Sequence, residues 1–147
     1  ARVYISDGEK ELIHDTDANL SSQYHNPKTV QPDVFLRDGE TVEIAGMTIR
    51  CIQTPGHTEG SCCYYIEETG EEEKGNAGKK PCPPILLSGD TLFEESVGRT
   101  DFPTGSMSAL VRSVREKLFI LPDETLVYPG HGGMTQIGHE KQYNAMV

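Results

Sequence analysis

Two imidazoles and one carboxylate stand where three apolar runs of this sequence end. His57 lies in the motif Thr-Pro-Gly-His-Thr, Asp90 in Gly-Asp-Thr-Leu-Phe and His131 in Tyr-Pro-Gly-His-Gly. Imidazole nitrogens and carboxylate oxygens are ligands that bind zinc and similar divalent ions. Each of the three lies on a loop that contains glycine, where the backbone can turn sharply. The sequence therefore predicts a metal site made of His57, Asp90 and His131.

The order and flanks of these motifs resemble a known family. Together with the segments 87–93 and 98–103, they resemble the second half of the metallo-β-lactamase fold, in its branch of glyoxalase II-like (hydroxyacylglutathione hydrolase-like) metal-dependent hydrolases. The resemblance runs from about residue 3 to residue 144. It implies an α/β (α+β) fold that is part of a four-layer αββα sandwich of two sheets faced by helices.

One motif of that family has no counterpart here. The family opens its metal site with a His-x-His-x-Asp-His run upstream of the first motif. The nearest segment of this chain is His14-Asp15-Thr16-Asp17, which has one imidazole. We therefore interpret residues 1–147 as a single incomplete domain that lacks the N-terminal metal-binding segment, and expect it to be the C-terminal part of a larger hydrolase.

The resemblance implies metal-assisted hydrolysis. Two divalent ions, most often zinc but also iron or manganese, share Asp90 as a bridging carboxylate in the family, which makes Asp90 the catalytic residue. His57 completes the shell of one ion and His131 that of the other. The implied substrate is a small-molecule thioester such as an acyl-glutathione. A catalytic zinc usually has three protein ligands, so we expect weak or absent metal binding and no activity in this chain alone.

Two other functions remain open. A persulfide dioxygenase-like enzyme on the same fold uses a single iron, and His131 then no longer binds metal. Alternatively, the chain is a non-catalytic fragment or a binding module. Metal analysis of the larger protein separates the first alternative from a hydrolase, and assays with and without the absent segment separate the second.

Composition narrows the classes of partner. The formal net charge is −10, 24% of residues are charged and 35% are hydrophobic. Nucleic-acid binding needs clustered Lys and Arg, whereas the adjacent basic pair Lys79-Lys80 follows the acidic run at 71–73. No apolar stretch is long enough to span a membrane. We expect no nucleic-acid or membrane partner.

The cysteines suggest a compartment. They form no Cys-x-x-Cys pair, and no signal peptide precedes them, which predicts buried reduced thiols in a cytoplasmic protein. The four are Cys51, Cys62, Cys63 and Cys82.

Hydrophobic patterning predicts the elements that position the motifs. Strands are expected at 2–5, 47–52, 62–66, 84–88 and 125–128, with 84–88 covered on both faces. Apolar residues at helical spacing predict a helix from about Met107 to Ile120, stopped by Pro122. We also predict a helical turn or two at 9–14, then a polar, irregular loop through 26–27 and 31–32 that covers one side of the site, and a solvated hairpin tip at 69–83.

Several other residues are predicted to be structural. Arg99 and Asp101 are expected to form a buried or half-buried ion pair that shapes its loop. The remaining histidines and three tyrosines are assigned to hydrogen bonding or packing; they are His14, His25, His139, Tyr64, Tyr65 and Tyr143.

The pattern also has a consequence for assembly. In the family, the N-terminal segment supplies much of one sheet. Its absence here would leave the apolar face of Ile49, Cys51, Ile85 and Leu87 without partners. Large exposed apolar patches are a liability in water. We expect this face to pair with another copy, as a homodimer, or with the absent N-terminal segment.

Overall fold

A six-stranded mixed sheet organises the chain in a computed structural model, which describes residues 1–67 and 82–147. Its strands are β3 Thr41–Ile44, β4 Met47–Gln53, β5 Cys62–Ile66, β6 Ile85–Gly89, β9 Leu126–Pro129 and β10 Thr135–Gln136. They lie in the order β10-β9-β6-β5-β4-β3 across the sheet. The hairpin tip predicted at 69–83 lies outside the described residues apart from Cys82 and Pro83.

Short pairs of strands flank this sheet. β1 (Tyr4–Ser6) pairs in parallel with β2 (Val34–Leu36), and β7 (Leu92–Phe93) forms a hairpin with β8 (Ser96–Val97). The helical turns predicted at 9–14 are present: a 3₁₀ turn at Asp7–Glu9 leads into hydrogen-bonded turns over residues 10–14, where the amide of Ile13 donates to the carbonyl of Glu9 at 3.1 Å. A second 3₁₀ turn lies at Ser21–Tyr24. No helix in the described part of the chain is long and apolar enough to cross a membrane.

The predicted helix forms almost over its predicted length. α1 (Met107–Ser113) begins at Ser106, whose hydroxyl accepts a hydrogen bond from the amide of Ala109 at 3.3 Å. Such a side-chain cap satisfies an amide that has no partner inside the helix. The helix continues as a π-helical turn over Val114–Leu118. A second helix, α2, covers Ile137–Tyr143.

One face of the sheet carries the core. Both helices pack on it, through a buried cluster that contains Ile52, Cys63, Tyr65, Leu86, Leu92, Val114, Leu118, Leu121, Val127 and Ile137. The inward positions alternate along β5 and β6, as the two-residue period of a strand requires. This mixed α/β arrangement confirms the predicted fold class. The described residues supply one six-stranded sheet, two short strand pairs and one helical layer.

The opposite face, which we call the open face, is apolar and much less covered. The strand registers pair Ile49 with Ile66, Cys51 with Tyr64 and Tyr64 with Leu87, so these side chains share one side. Leu87 is 42% exposed. The prediction that strand 84–88 is covered on both faces is therefore wrong, because the helices pack on only one side. Cys51 is on the same side but is completely buried, so the expectation that it loses its partners is wrong. The open face is defined as Ile49, Tyr64, Ile66, Ile85 and Leu87.

Two further packing predictions need correction. Cys51 and Cys63 are buried free thiols, but Cys62 is only half-buried and Cys82 is exposed. Tyr65 belongs to the core, whereas Tyr143 is 60% exposed and contacts the ring of His139. Cys62 takes an outward position on β5, Cys82 lies before β6 and Tyr143 lies at the end of α2, so these side chains contact solvent.

Candidate metal centre

The central carboxylate is placed by two strand ends. β6 and β9 are parallel neighbours connected through α1, so their carboxyl ends reach the same edge of the sheet. The amide of Gly130 donates a hydrogen bond of 2.9 Å to the carbonyl oxygen of Gly89. Gly89 adopts φ +51°, a conformation that glycine reaches without steric cost. Asp90 and His131 follow these two glycines and are thereby brought together.

Asp90 faces a different histidine with each carboxylate oxygen. Its Oδ2 lies 3.6 Å from Nε2 of His57, and its Oδ1 lies 3.5 Å from Nε2 of His131. The structure therefore brings all three residues singled out in the sequence to one place. The carboxylate stands between the two imidazoles, which is the position that a shared ligand needs.

The His57 imidazole is held on several sides. Gly56 packs so closely on α1 that an added Cβ would lie 2.4 Å from the Cβ of Leu110. The Nδ1 atom of His57 lies 2.8 Å from the backbone carbonyl oxygen of Arg99. A carbonyl only accepts hydrogen bonds, so neutral His57 donates from Nδ1 and keeps a free lone pair on Nε2. In metal sites this arrangement is the usual support of a ligating histidine.

His131 is held more loosely. Its side chain is 75% exposed, compared with 18% for His57. The ring stacks on Phe93, with centroids 4.6 Å apart and an interplanar angle of 30°. The two histidines therefore differ in how firmly the protein orients them.

Residues behind the site were not predicted from the sequence. The hydroxyls of Thr54 and Thr91 are buried and share a hydrogen bond of 2.9 Å, which joins the loops before His57 and after Asp90. Gly98 approaches the backbone of Asp90 so closely that a Cβ would lie 1.8 Å from its carbonyl oxygen. Only the presence of Thr and Gly inside the motifs signalled these contacts.

A cavity of about 380 Å³ opens beside the site. His57 and Asp90 line it, together with Glu9 and Cys62, whereas His131 lies outside its lining. The walls contributed by the N-terminal part come from residues 5–13, and none comes from the polar stretch that follows, through residue 32. This stretch therefore does not line the cavity.

The residues fit a divalent ion in pairs. Two ligand atoms bound tetrahedrally to one zinc, at bonds of about 2.0–2.2 Å, lie about 3.4 Å apart. The separations of 3.6 Å and 3.5 Å match that spacing on either side of Asp90. Among residues 1–67 and 82–147, however, no group of three or more His, Cys, Asp or Glu side chains could hold one ion. The described residues would thus give each ion two ligand atoms, one histidine nitrogen and one oxygen of the Asp90 carboxylate.

The predicted ion pair near the site is present but exposed. Arg99 and Asp101 form a forked contact of 2.6 and 2.8 Å, with side chains 63% and 67% exposed. The hydrogen bonds from Arg99 hold the pKa of Asp101 below its usual range. The expectation of a buried or half-buried pair is wrong, because the loop projects both side chains into solvent.

The other histidines lie outside this cluster. His14 and His25 are exposed, and His139 contacts Glu95 at 3.1 Å. In the segment 14–17, the Asp15 carboxylate accepts hydrogen bonds from the amides of Asp17 and Ala18, which fits a turn.

Similar proteins include several metallo-hydrolases, although no family model matches the chain. The probable metallo-hydrolase YqgX of Bacillus subtilis is 32% identical over 97% of this chain and 62% of its own length. The uncharacterised protein ML0493 of Mycobacterium leprae is 41% identical over 74% of this chain and 44% of its own length. The hydroxyacylglutathione hydrolase GloC of Haemophilus influenzae is 36% identical over 75% of this chain and 45% of its own length. The chain thus spans between 44% and 62% of the length of these relatives.

Solved structures show the same fold. The B3 metallo-β-lactamase BLEG-1 matches with a TM-score of 0.79 and 34% identity, over 98% of this chain and 64% of that one. The protein TTHA1623 in a di-iron-bound form matches with a TM-score of 0.72 and 30% identity, over 99% of this chain and 65% of that one. ETHE1 from Myxococcus xanthus matches with a TM-score of 0.64 and 31% identity, over 86% of this chain and 54% of that one. The chain therefore has the metallo-β-lactamase fold and is homologous to proteins named as probable metallo-hydrolases.

Proposed function

We propose that His57, Asp90 and His131 are metal ligands of a glyoxalase II-like hydrolase that acts on a thioester such as an acyl-glutathione. One observation carries the proposal: each oxygen of the Asp90 carboxylate faces the Nε2 atom of a different histidine, at 3.6 and 3.5 Å. A carboxylate in that position can bridge two ions. The relative GloC, a hydroxyacylglutathione hydrolase, supports the substrate class.

Each residue has a separate role in this proposal. Asp90 holds the two halves of the site together and is the catalytic residue. His57 presents Nε2 because its Nδ1–H is tied to the carbonyl of Arg99. His131 presents Nε2 from the other side. Bound divalent ions would supply Lewis acidity for the acyl carbonyl and lower the pKa of water towards about 7.

The surroundings of the site fit a small substrate. The cavity of about 380 Å³ reaches His57 and Asp90, and is lined on another side by apolar side chains such as Ile5 and Leu12. Pockets of roughly 300–1,000 Å³ are typical for small molecules. The acidic chain, with a net charge of −10, has little to offer a nucleic acid.

The decisive assay is thioester hydrolysis by the chain alone and by the chain joined to the upstream His-x-His-x-Asp-His segment. We expect metal-dependent turnover only in the joined protein. Asp90→Ala should lower that turnover by at least about 100-fold, since it removes the ligand shared by both sides. Glu116→Ala, which removes an exposed carboxylate from the turn after α1, is the matched control. Normal turnover in Asp90→Ala would reject the mechanism.

A persulfide dioxygenase-like iron enzyme is the second candidate. The similarity to ETHE1 and the unequal support of the two histidines favour it, because a single-iron site would need His57 and Asp90 but not the exposed His131. Metal analysis of the joined protein, with and without His131→Ala, distinguishes the two. If the joined protein binds two ions and its His131→Ala variant binds one, the result supports the hydrolase. If both proteins bind one iron, the result supports the dioxygenase.

A further inference from the structure

One loop orients the imidazole of His57. The carbonyl oxygen of Arg99 lies 2.8 Å from Nδ1 of His57. The ring of Phe102 meets the same imidazole edge-on, with centroids 4.9 Å apart and an interplanar angle of 88°. The hydrogen bond selects the tautomer and the aromatic contact limits rotation of the ring. The orientation of His57 therefore depends on residues 99–102 as much as on its own loop.

The side chain of Arg99 ties these contacts together. Its Nε and Nη2 atoms donate hydrogen bonds of 2.6 and 2.8 Å to the two carboxylate oxygens of Asp101. Its guanidinium also lies over the Phe102 ring, 4.6 Å from the centroid. A planar fork can make both contacts at once, whereas the single ammonium of a lysine cannot reproduce this geometry.

The location of the ion pair suggests a local purpose. Both side chains are mostly exposed, and exposed pairs contribute little to global stability. The loop is otherwise fastened at its ends, where Gly98 donates to the carbonyl of Thr91 at 3.2 Å and Ser106 donates to that of Gly56 at 2.8 Å. The forked pair of Arg99 and Asp101 lies between these points, and the carbonyl of Arg99 accepts the hydrogen bond from Nδ1 of His57.

We propose that Arg99 is a positioning residue for His57. Its contacts with Asp101 and Phe102 hold the residue 99 carbonyl where it accepts the Nδ1–H of His57, which leaves Nε2 free and facing Asp90. This inference rests on the proposed function in one respect, namely that the free Nε2 of His57 serves as a metal ligand. The orientation itself belongs to the metal-free chain and can be measured there.

The test is the tautomer of His57 in the ¹⁵N-labelled chain, with a chelator present. Two-bond ¹H–¹⁵N spectra at pH about 8.5, roughly two units above the usual histidine pKa, distinguish Nδ1–H from Nε2–H. We expect Nδ1–H in the unmodified chain, with nuclear Overhauser contacts to Phe102. Arg99→Ala keeps the carbonyl, yet it should give a mixture of tautomers and weaken those contacts. Arg99→Lys should behave like Arg99→Ala.

Lys141→Gln is the matched control, because it removes an exposed ion pair with Asp123 that joins α2 to another loop. It should leave the His57 signals unchanged. The Nδ1–H tautomer retained in Arg99→Ala, or restored in Arg99→Lys, would overturn the proposal. If Arg99→Ala gives no folded spectrum, Asp101→Asn decides by the same criterion. Absence of hydrolysis in the joined protein would reject the proposed function and leave this result standing.

Discussion

Gly130 donates its backbone amide to the carbonyl of Gly89 at 2.9 Å, and this hydrogen bond continues the pairing of β6 and β9 up to the candidate metal centre. The residues that follow the two glycines are Asp90 and His131. A Cβ at Gly130 would lie 2.8 Å from Oδ1 of Asp90, the same oxygen that faces His131. The absence of a side chain at position 130 therefore leaves the space in which the carboxylate lies.

Gly130→Ala should displace the Asp90 carboxylate with little loss of global stability, because the clashing atom is the end of a flexible side chain. The matched control is Gly132→Ala, where φ is +84° and no atom lies within 4 Å of the new Cβ. The control should cost about 1–2 kcal/mol through its left-handed backbone and leave Asp90 in place. NMR shifts of Asp90 and His131, with urea unfolding curves, measure both effects. Unchanged Asp90 shifts in Gly130→Ala would contradict the prediction.

Zinc binding by the chain alone should be weak. Each side of Asp90 offers one histidine and one carboxylate oxygen, whereas full structural zinc sites bind with roughly 10–16 kcal/mol. We expect a Kd weaker than about 1 μM, which corresponds to about −8 kcal/mol. Isothermal calorimetry measures it, with His57→Ala expected to remove the residual binding and His25→Ala, an exposed histidine, to leave it unchanged. Tight stoichiometric zinc in the unmodified chain would reject this expectation.

Cys62 should be the thiol that reacts first at neutral pH. The neighbouring thiol of Cys51, on the adjacent strand, lowers the pKa of Cys62 to about 7, while burial raises the pKa of Cys63 to about 12. Because the thiolate is the nucleophile, alkylation of Cys62 should rise with pH and reach half its maximum near pH 7. Cys63, which is completely buried, should stay unmodified over that range.

Mass spectrometry after iodoacetamide treatment between pH 6 and pH 10 checks the order of reaction. Cys51→Ala should move the half-maximum of Cys62 upward, towards the value of about 8.5 for an ordinary thiol. The exposed Cys82 provides an internal comparison for solvent access. A half-maximum for Cys62 at pH 8.5 in the unmodified chain would show that the contact with Cys51 does not stabilise its thiolate.

The open face should mediate association of the chain with a second copy in solution. Leu87 is 42% exposed, and the open face continues along three neighbouring strands. Burying such a surface removes apolar area from water. Size-exclusion chromatography with light scattering should find a dimer, and Leu87→Glu should produce monomers. Ile120→Glu, at a 75% exposed position after α1, should not. A monodisperse monomer of the unmodified chain would count against the prediction.

The sequence by itself indicated which side chains stand at strand ends. The motifs around His57, Asp90 and His131 combine an apolar run with glycine, and such local patterns specify a strand followed by a sharp turn. The spacing of Met107, Leu110, Val114 and Leu118 likewise predicted α1 and the turn after it. These features depend on residues close together in the chain, so they can be recognised without the fold.

Only the tertiary structure decided how these pieces meet. That Asp90 faces one histidine with each oxygen, that the Arg99 carbonyl receives His57 and that Arg99 and Asp101 are exposed all depend on contacts between distant segments. The same is true of the open face, since strand periodicity shows that two faces exist but not which one is covered. Local pattern determines backbone conformation, whereas distances and burial are set by long-range packing.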